Sequence, residues 1–333
     1  MNRKSAVVAI GGNSLIKDRF HQTVRDQYIA AGETCWHIAS MIQDGWDVAI
    51  GHGNGPQVGF ILRRSELAAG ELHEIPLDVC GADSQGAIGY ALTQNLENDF
   101  RRIGIDRHAV TVITQVEVAR DDPAFASPSK PIGSFMDEAT AIRRRDEDGW
   151  AVREDAGRGW RRMVASPEPI RIVEEDSIKA LIEAGFVVVS VGGGGIPVVA
   201  DENGELSGVA AVIDKDLACS LLATRIGASL LLITTAVEHV SLDFATPDER
   251  RIDRMTLSEA RDYLAEGVHF AEGSMAPKIR AVVGFLERGG EEAIITDPEN
   301  VERALAGETG THVGPDFGLG DGEGARSEPL GAC

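Results

Sequence analysis

The chain has 333 residues, 43% apolar and 26% charged, as in an ordinary globular protein with room for one large α/β unit or two fused ones. Its 53 acidic against 32 basic side chains give a formal net charge of −21, a surface that repels nucleic acid and anionic membranes and excludes both as main partners. The same field repels anionic substrates, so a phosphate site has to concentrate basic groups and backbone N–H donors locally. Solubility and growth in high salt each account for such acidity.

Four cysteines, Cys35, Cys80, Cys219 and Cys333, lie far apart with no C-x-x-C pair or metal-ligand spacing. They are expected to be reduced thiols in a cytoplasmic protein. The apolar run at 5–10 is too short for a signal peptide and reads as a strand. No stretch approaches the length of a membrane span.

In chain order, short Val/Ile/Leu runs predict strands at 6–10, 47–50, 109–113, 186–191, 229–233 and 292–296, continuous in the way of strands buried on both faces. Between them, i, i+3, i+4 apolar spacing predicts helices at 23–42, 84–103, 174–184, 216–225 and 275–288, the last with Pro277 in its tolerant first turn. Strands alternating with helices imply a mainly parallel open sheet covered on both sides. The stretch 119–172 breaks this pattern with Pro, Gly and charge, including Arg143, Arg144, Arg145, Arg158, Arg161 and Arg162. It is too long for a plain loop and is expected to form an inserted subdomain or lid. The end, 314–333, is rich in Gly and acidic residues and is expected to be a disordered tail after a catalytic domain of 1–313.

Three glycine clusters follow three predicted strands. The first is Gly11-Gly12-Asn13-Ser14. The second is Gly51-His52-Gly53-Asn54-Gly55-Pro56-Gln57-Val58-Gly59, with a helix after it. The third is Gly192-Gly193-Gly194-Gly195-Ile196-Pro197. Ligands of open parallel sheets bind beyond the carboxyl ends of the strands. Glycine there lets backbone N–H groups approach an anion, and a following helix adds its positive end. Candidate phosphate and substrate contacts are therefore Gly11, Gly12, Asn13, Gly53, Asn54, Gly55, Gly193 and Gly194. One glycine pair is equally what a tight turn needs; three at one sheet edge are not so easily a turn preference. Neither G-x-x-x-x-G-K-[ST] nor G-x-G-x-x-G occurs, which excludes a P-loop and removes the dinucleotide fingerprint.

Three lysines sit in unusual places. Lys130 lies in a proline-stiffened turn, Pro128-Ser129-Lys130-Pro131-Ile132-Gly133. Lys215 lies in Val212-Ile213-Asp214-Lys215-Asp216, where a strand is expected to meet a helix. Lys278 opens the last predicted helix. Fixed ammonium groups neutralise phosphate oxygens during transfer, a reaction that needs positioning and charge stabilisation more than covalent chemistry. A lone lysine is ordinarily a solvated surface charge. Lys215, between two aspartates beside an apolar run, fits that description least. Asp216 is open to two readings, partner of a lysine or N-cap of the helix.

These clusters together resemble the carbamate kinases of the amino acid kinase family. Further matching runs are Ser84-Gln85-Gly86-Ala87-Ile88-Gly89-Tyr90, Glu154-Asp155-Ala156-Gly157-Arg158-Gly159-Trp160-Arg161 and Gly273-Ser274-Met275-Ala276-Pro277-Lys278, with Gly310-Thr311-His312-Val313 resembling a closing strand. The resemblance implies a three-layer αβα sandwich with a mainly parallel open sheet, a protruding mobile lid and a homodimer. It implies reversible phosphoryl transfer between carbamoyl phosphate with ADP and carbamate with ATP, usually making ATP in arginine or other carbamoyl-phosphate-yielding catabolism. Carbamate or carbamoyl phosphate would sit on the first two loops. Lys130, Lys215, Asp216 and Lys278 would be catalytic. Thr234, Ala236, Val237, Glu238 and Met275, together with Lys215 and Lys278, would contact nucleotide. Mg2+ would arrive with ADP or ATP on phosphate and water, with no protein residues assigned as its ligands.

The sequence departs from that pattern at Thr234-Thr235-Ala236-Val237-Glu238-His239, where Glu238 replaces a frequent Asp, and at Ser129, where Thr is frequent. Kinases of other carboxylates, of the glutamate or N-acetylglutamate type, share the sheet and first loop but lack the lid runs. A non-catalytic sensor of carbamoyl phosphate or nucleotide would be expected to have lost the three lysines. A nicotinamide enzyme would need the missing fingerprint. His52 reads as a loop residue that orients the glycine turn rather than as a base, since carbamate is already anionic.

Overall fold

The structure is a computed structural model that describes residues 4–16, 20–154 and 159–315. Residues 155–158 of the lid motif and 316–333 of the expected tail lie outside the described residues, as does the side chain of Asn13.

An eight-stranded sheet runs, in spatial order, through Arg254–Thr256, Thr311–Gly314, Glu292–Thr296, Leu230–Thr234, Ser5–Ile10, Asp47–His52, Val187–Val189 and Ala109–Thr111. All its pairings are parallel except that between Glu292–Thr296 and Thr311–Gly314. The first strand explains the layering. Alternate residues leave a strand on opposite faces, and here both faces are apolar. Ala6, Val8 and Ile10 pack with Ile38, Leu92 and Phe100 under the helices Val24–Gln43 and Leu77–Ile103. Val7 and Ala9 pack with Leu222, Ile279 and Phe285 under Lys215–Ile226 and Met275–Glu287. The result is a three-layer αβα sandwich.

Local chemistry sets the helix ends. Thr23 and Asp26 form a reciprocal capping box at the first helix, so Thr23 is its cap and not its first turn. Gly104, in the left-handed conformation, closes the helix Leu77–Ile103. That helix begins at Leu77, earlier than the expected 84, because Pro76 precedes it and Leu77 and Cys80 extend its buried stripe. Two further strands fall where none was expected. Gln115–Val118 and Ile196–Ala200 pair in parallel and, with Leu206–Gly208 and Pro169–Ile172, make a separate four-stranded sheet.

The inserted region carries its own sheet, Lys130–Met136, Trp160–Val164 and Ala151–Glu154, with the helix Glu138–Asp148 against it. The strand Pro169–Ile172, expected within the insertion, belongs to the four-stranded sheet, so the protruding unit ends before it. A small apolar cluster joins Ile132 and Val164 of this unit to Val58, Leu62, Leu77 and Cys80 of the body and to Val212. At the far end, Gly314 is the last residue of a buried strand and not the first of a tail.

Gly89 lets the helix Leu77–Ile103 lie close on the sheet, since a Cβ there would stand 2.4 Å from the Thr111 side chain. Alanine would gain about 1 kcal/mol of helix propensity, but overpacking a filled interior costs about 1–3 kcal/mol. Gly89→Ala is therefore expected to lower the urea midpoint; a raised midpoint would mean that Thr111 yields freely.

Candidate active site

The strands Ser5–Ile10, Asp47–His52, Val187–Val189 and Leu230–Thr234 lie side by side in parallel, so the segments leaving their carboxyl ends meet at one edge. The loops touch. A Cβ on Gly11 would lie 2.7 Å from the Thr234 carbonyl oxygen, one on Gly12 3.0 Å from the Gly55 carbonyl oxygen, and one on Gly53 3.3 Å from the Lys215 side chain. A Cβ on Gly193 would lie 2.2 Å from the Asn54 amide nitrogen, and one on Gly194 2.4 Å from the Ile213 carbonyl oxygen. Gly193 and Gly194 also have φ of +66° and +91°, so conformation and space both select glycine. Val191, at φ +44°, holds a conformation rare for a β-branched residue, which costs about 1–3 kcal/mol and is typical of a loop built for a ligand.

The loops are braced from behind by a buried amide. Gln85 donates through Nε2 to the carbonyls of Thr114 and Gly192, both at 3.0 Å, and its Oε1 accepts from the Thr114 N–H at 2.7 Å. The Asn54 amide donates to Ser84 Oγ at 3.3 Å, and the Thr114 hydroxyl accepts from the Val191 N–H at 3.1 Å. Ser84, Gln85 and Thr114 are buried and were not singled out as site residues. Their only signal was that Ser84 and Gln85 open a recognisable run.

All three singled-out lysines converge. Asp216 accepts from Lys215 Nζ at 2.5 Å on one oxygen and from Lys278 Nζ at 3.0 Å on the other. Lys130 Nζ, from the inserted subdomain's strand Lys130–Met136, donates to the Ile213 carbonyl at 3.1 Å and to Asp214 at 3.3 Å. Burial disfavours the charged form of Lys215, but Asp216 outweighs it and raises Lys215 above the ordinary lysine value. Burial likewise pushes Asp214 up, yet Lys130, Lys215 and the Asp216 N–H together hold it down at about 2. Three ammonium groups against two carboxylates leave the cluster net positive at the mouth of the glycine loops.

The cluster decides one open reading and corrects one expectation. The N-cap of the helix Lys215–Ile226 is Asp214, whose carboxylate accepts from the Asp216 N–H at 2.9 Å; Asp216 is inside the first turn and partners lysines. The residues 212–214 before it form a loop and not a strand. Among the expected nucleotide contacts, Thr234 is fully buried, and its hydroxyl accepts from the Gly11 N–H at 3.2 Å, so it braces the first loop. Ala236 is exposed, Val237 and Glu238 half-buried, at the end of the neighbouring strand. Glu238 accepts from the Thr309 hydroxyl, with Arg303 at 3.8 Å. Met275 is half-buried one helical turn before Lys278 and packs into the core beneath.

Lysines fixed above glycine loops at strand ends are the equipment of a phosphotransferase. The model of the amino acid kinase family matches residues 4–297. The carbamate kinase-like protein YahI of Escherichia coli (strain K12) is 50% identical over 315 residues, covering 93% of this chain and 99% of that protein. The carbamate kinase of Pyrococcus horikoshii is 46% identical over 312 residues, covering 93% and 98%. The solved carbamate kinase from Giardia lamblia bound to AMP-PNP superimposes with a TM-score of 0.88 at 40% identity, over 95% of this chain and 99% of that one. The chain belongs to the amino acid kinase family and, within it, to the carbamate kinases.

His52 ends its strand fully inside the site, with Nδ1 2.8 Å from the Gly53 carbonyl and Nε2 against Gly192. Burial, with Lys215 adding to it, lowers its pKa from 6.5 to about 4, so it is neutral at neutral pH and orients the loop. Because the folded value lies below the unfolded one, the stabilisation is complete above pH 6.5 and is lost as pH falls toward 4. Between pH 7 and pH 5 this group alone is expected to remove about 2 kcal/mol of stability. Urea titrations of the protein and of His52→Gln at both pH values check it. The variant should show the smaller loss, and equal losses would contradict the assignment.

Proposed function

We propose that the protein transfers a phosphoryl group reversibly between carbamoyl phosphate with MgADP and carbamate with MgATP. The observation that carries this reading is the convergence of Lys130, Lys215 and Lys278 on two carboxylates at the mouth of three glycine loops. The backbone N–H groups of Gly12 and Gly55, with Asn13 and Asn54, would hold the carbamoyl end, on loops whose shape Gly11 and Gly53 set by bonding their own N–H groups to Thr234 and Ile10. Gly193 and Gly194 would hold the phosphoryl group. The segment 234–238 and Met275 would receive the nucleotide, with Lys278 on its phosphates.

The transfer proceeds in line, without a phosphoenzyme. The carbamate oxygen and the terminal oxygen of ADP occupy opposite sides of the phosphorus. Lys130 and Lys215 offset the charge on its equatorial oxygens as one P–O bond lengthens and the other forms. Mg2+ enters as part of the nucleotide complex, held by phosphate oxygens and water. Asp216 has both oxygens occupied by lysines, which supports that mode of binding.

Carbamoyl phosphate is a mixed anhydride and a stronger phosphoryl donor than ATP, which favours ATP synthesis as the working direction. It would serve arginine or other carbamoyl-phosphate-yielding catabolism in the cytoplasm. No helix among the described residues is long and apolar enough to cross a membrane. A homodimer is supported by the exposed Ile29, Trp36 and Tyr90 on the outer helices Val24–Gln43 and Leu77–Ile103.

The test is ATP formation from MgADP and carbamoyl phosphate. Lys215→Ala is expected to lower kcat at least about a hundredfold, and absence of ATP from the folded unaltered protein would sink the reading. The inserted subdomain acts as a lid, joined to the body through the small cluster around Ile132 and Val164. MgADP with carbamoyl phosphate should therefore slow proteolysis within 119–168; equal cleavage with and without them would count against closure.

A further inference from the structure

We propose that Asp214 is a positioning residue that fixes the lid lysine, Lys130, at the reaction centre and acts on the reaction through that lysine. This rests on the carbamate kinase reading.

The two oxygens of Asp214 have different duties. One accepts the Asp216 N–H at 2.9 Å and so anchors the carboxylate to the helix that bears Lys215 and Asp216. The other receives Lys130 Nζ at 3.3 Å. A carboxylate pinned at one oxygen presents the second in a fixed direction, which restricts the otherwise long and mobile lysine side chain. The Ile213 carbonyl, one residue earlier, gives Lys130 a second acceptor at 3.1 Å.

The segment that carries these acceptors is itself attached to the lid. The Val212 N–H donates to the Ala165 carbonyl at 3.0 Å, Ala165 and Ala211 form a bridge, and Val212 packs with Ile132 and Val164. Ala165 directly follows the lid strand Trp160–Val164, which pairs Lys130 with Val164. Asp214 and Lys130 are thus held in register through backbone contacts a few residues away. The pairing is a feature of how the lid is rooted, and not a chance meeting of two surface charges.

The chemical consequence is preorganisation. Lys130 has to reach the transferring phosphoryl group from a subdomain that meets the body through a small apolar cluster and the backbone contacts of Ala165. An ammonium group already held beside Lys215 and Lys278 meets the developing charge without first being ordered. Asp214 therefore contributes to the rate of transfer and not to nucleotide affinity.

The structural duty of Asp214 can be kept while its charge is removed, because Asn caps helices as well as Asp. Asp214→Asn is expected to lower kcat for ATP formation about tenfold to a hundredfold, the scale of one misplaced charge-stabilising group, with KM for MgADP unchanged. In a Lys130→Met background the same substitution should change kcat less than about twofold, because the residue through which it acts is gone. An Asp214→Asn effect of equal size in both backgrounds would overturn the proposal and place the action of Asp214 on Lys215 or the helix. No effect in the unaltered background would also overturn it.

A second readout does not depend on turnover. Trace acetylation, read by mass spectrometry against remote Lys179, should label Lys130 several-fold faster in Asp214→Asn than in the unaltered protein. Unchanged labelling would overturn the pairing. If the unaltered protein makes no ATP, the carbamate kinase reading fails, and the labelling alone decides whether Asp214 holds Lys130.

Discussion

The site depends on one buried carboxylate with an ammonium on each oxygen. Asp216 has 2% of its surface exposed, and the Lys215 and Lys278 side chains 12% and 14%. A buried ion pair contributes little net stability, because desolvation offsets the attraction, but removing one partner strands the other charge. The arrangement therefore acts mainly as a clamp. It keeps two amino groups at fixed positions, and for Lys215 it outweighs the burial that would otherwise favour the neutral amine. Asp216 stands at the start of a helix whose cap is Asp214, so one turn of backbone carries three of the five charges in the cluster and pairs with the other two.

Close approach is the second constraint. Anion-binding loops work only if their N–H groups point into a space that side chains do not fill. Here that space is made by four strands ending at one edge and by glycines wherever a Cβ would strike a neighbouring loop. Such loops do not hold their shape unaided. The buried Gln85 amide uses both its N–H donors and its oxygen on Thr114 and Gly192, and the strained Val191 lies next to the residue it ties down. Gln85 stands on the long helix Leu77–Ile103, which packs on the sheet through Ile88, Leu92, Leu96 and Phe100.

Most of the main sheet was legible in the sequence as short runs rich in Val, Ile, Leu and Ala, but its edge strand Arg254–Thr256, with only Met255 buried, was not. The four-stranded sheet was not, since Gln115 and Glu117 alternate with Val116 and Val118, and Pro197 sits inside Ile196–Ala200. The glycine loops and three lysines were legible as residue types in unusual places. Their partners were not, because the link from Lys130 to Asp214 spans 84 residues and depends on how the lid is rooted. Asp216 shows the limit most sharply. Capping and ion pairing both fit the string Asp214-Lys215-Asp216, and a one-residue difference in where the helix begins decides which aspartate does which.

The charge distribution sets the inserted region apart from the body. The region 119–172 contains ten basic and ten acidic side chains, so the whole excess of −21 lies outside it. This near-neutral region beside a strongly acidic body repels phosphate less than the body does, and Lys130 stands on it. Inside, the net positive cluster stands against low-dielectric walls, where its attraction for a phosphoryl group is far less screened than the surrounding surface field. The acidic exterior and the cationic site are compatible because they act over different distances. Salt screens the first within about 8–10 Å, while the second acts through direct hydrogen bonds. Selection for an acidic surface could therefore proceed without touching the chemistry, provided the lysines stayed enclosed and paired. The pairing of Asp214 with Lys130 and of Asp216 with Lys215 and Lys278 meets that condition.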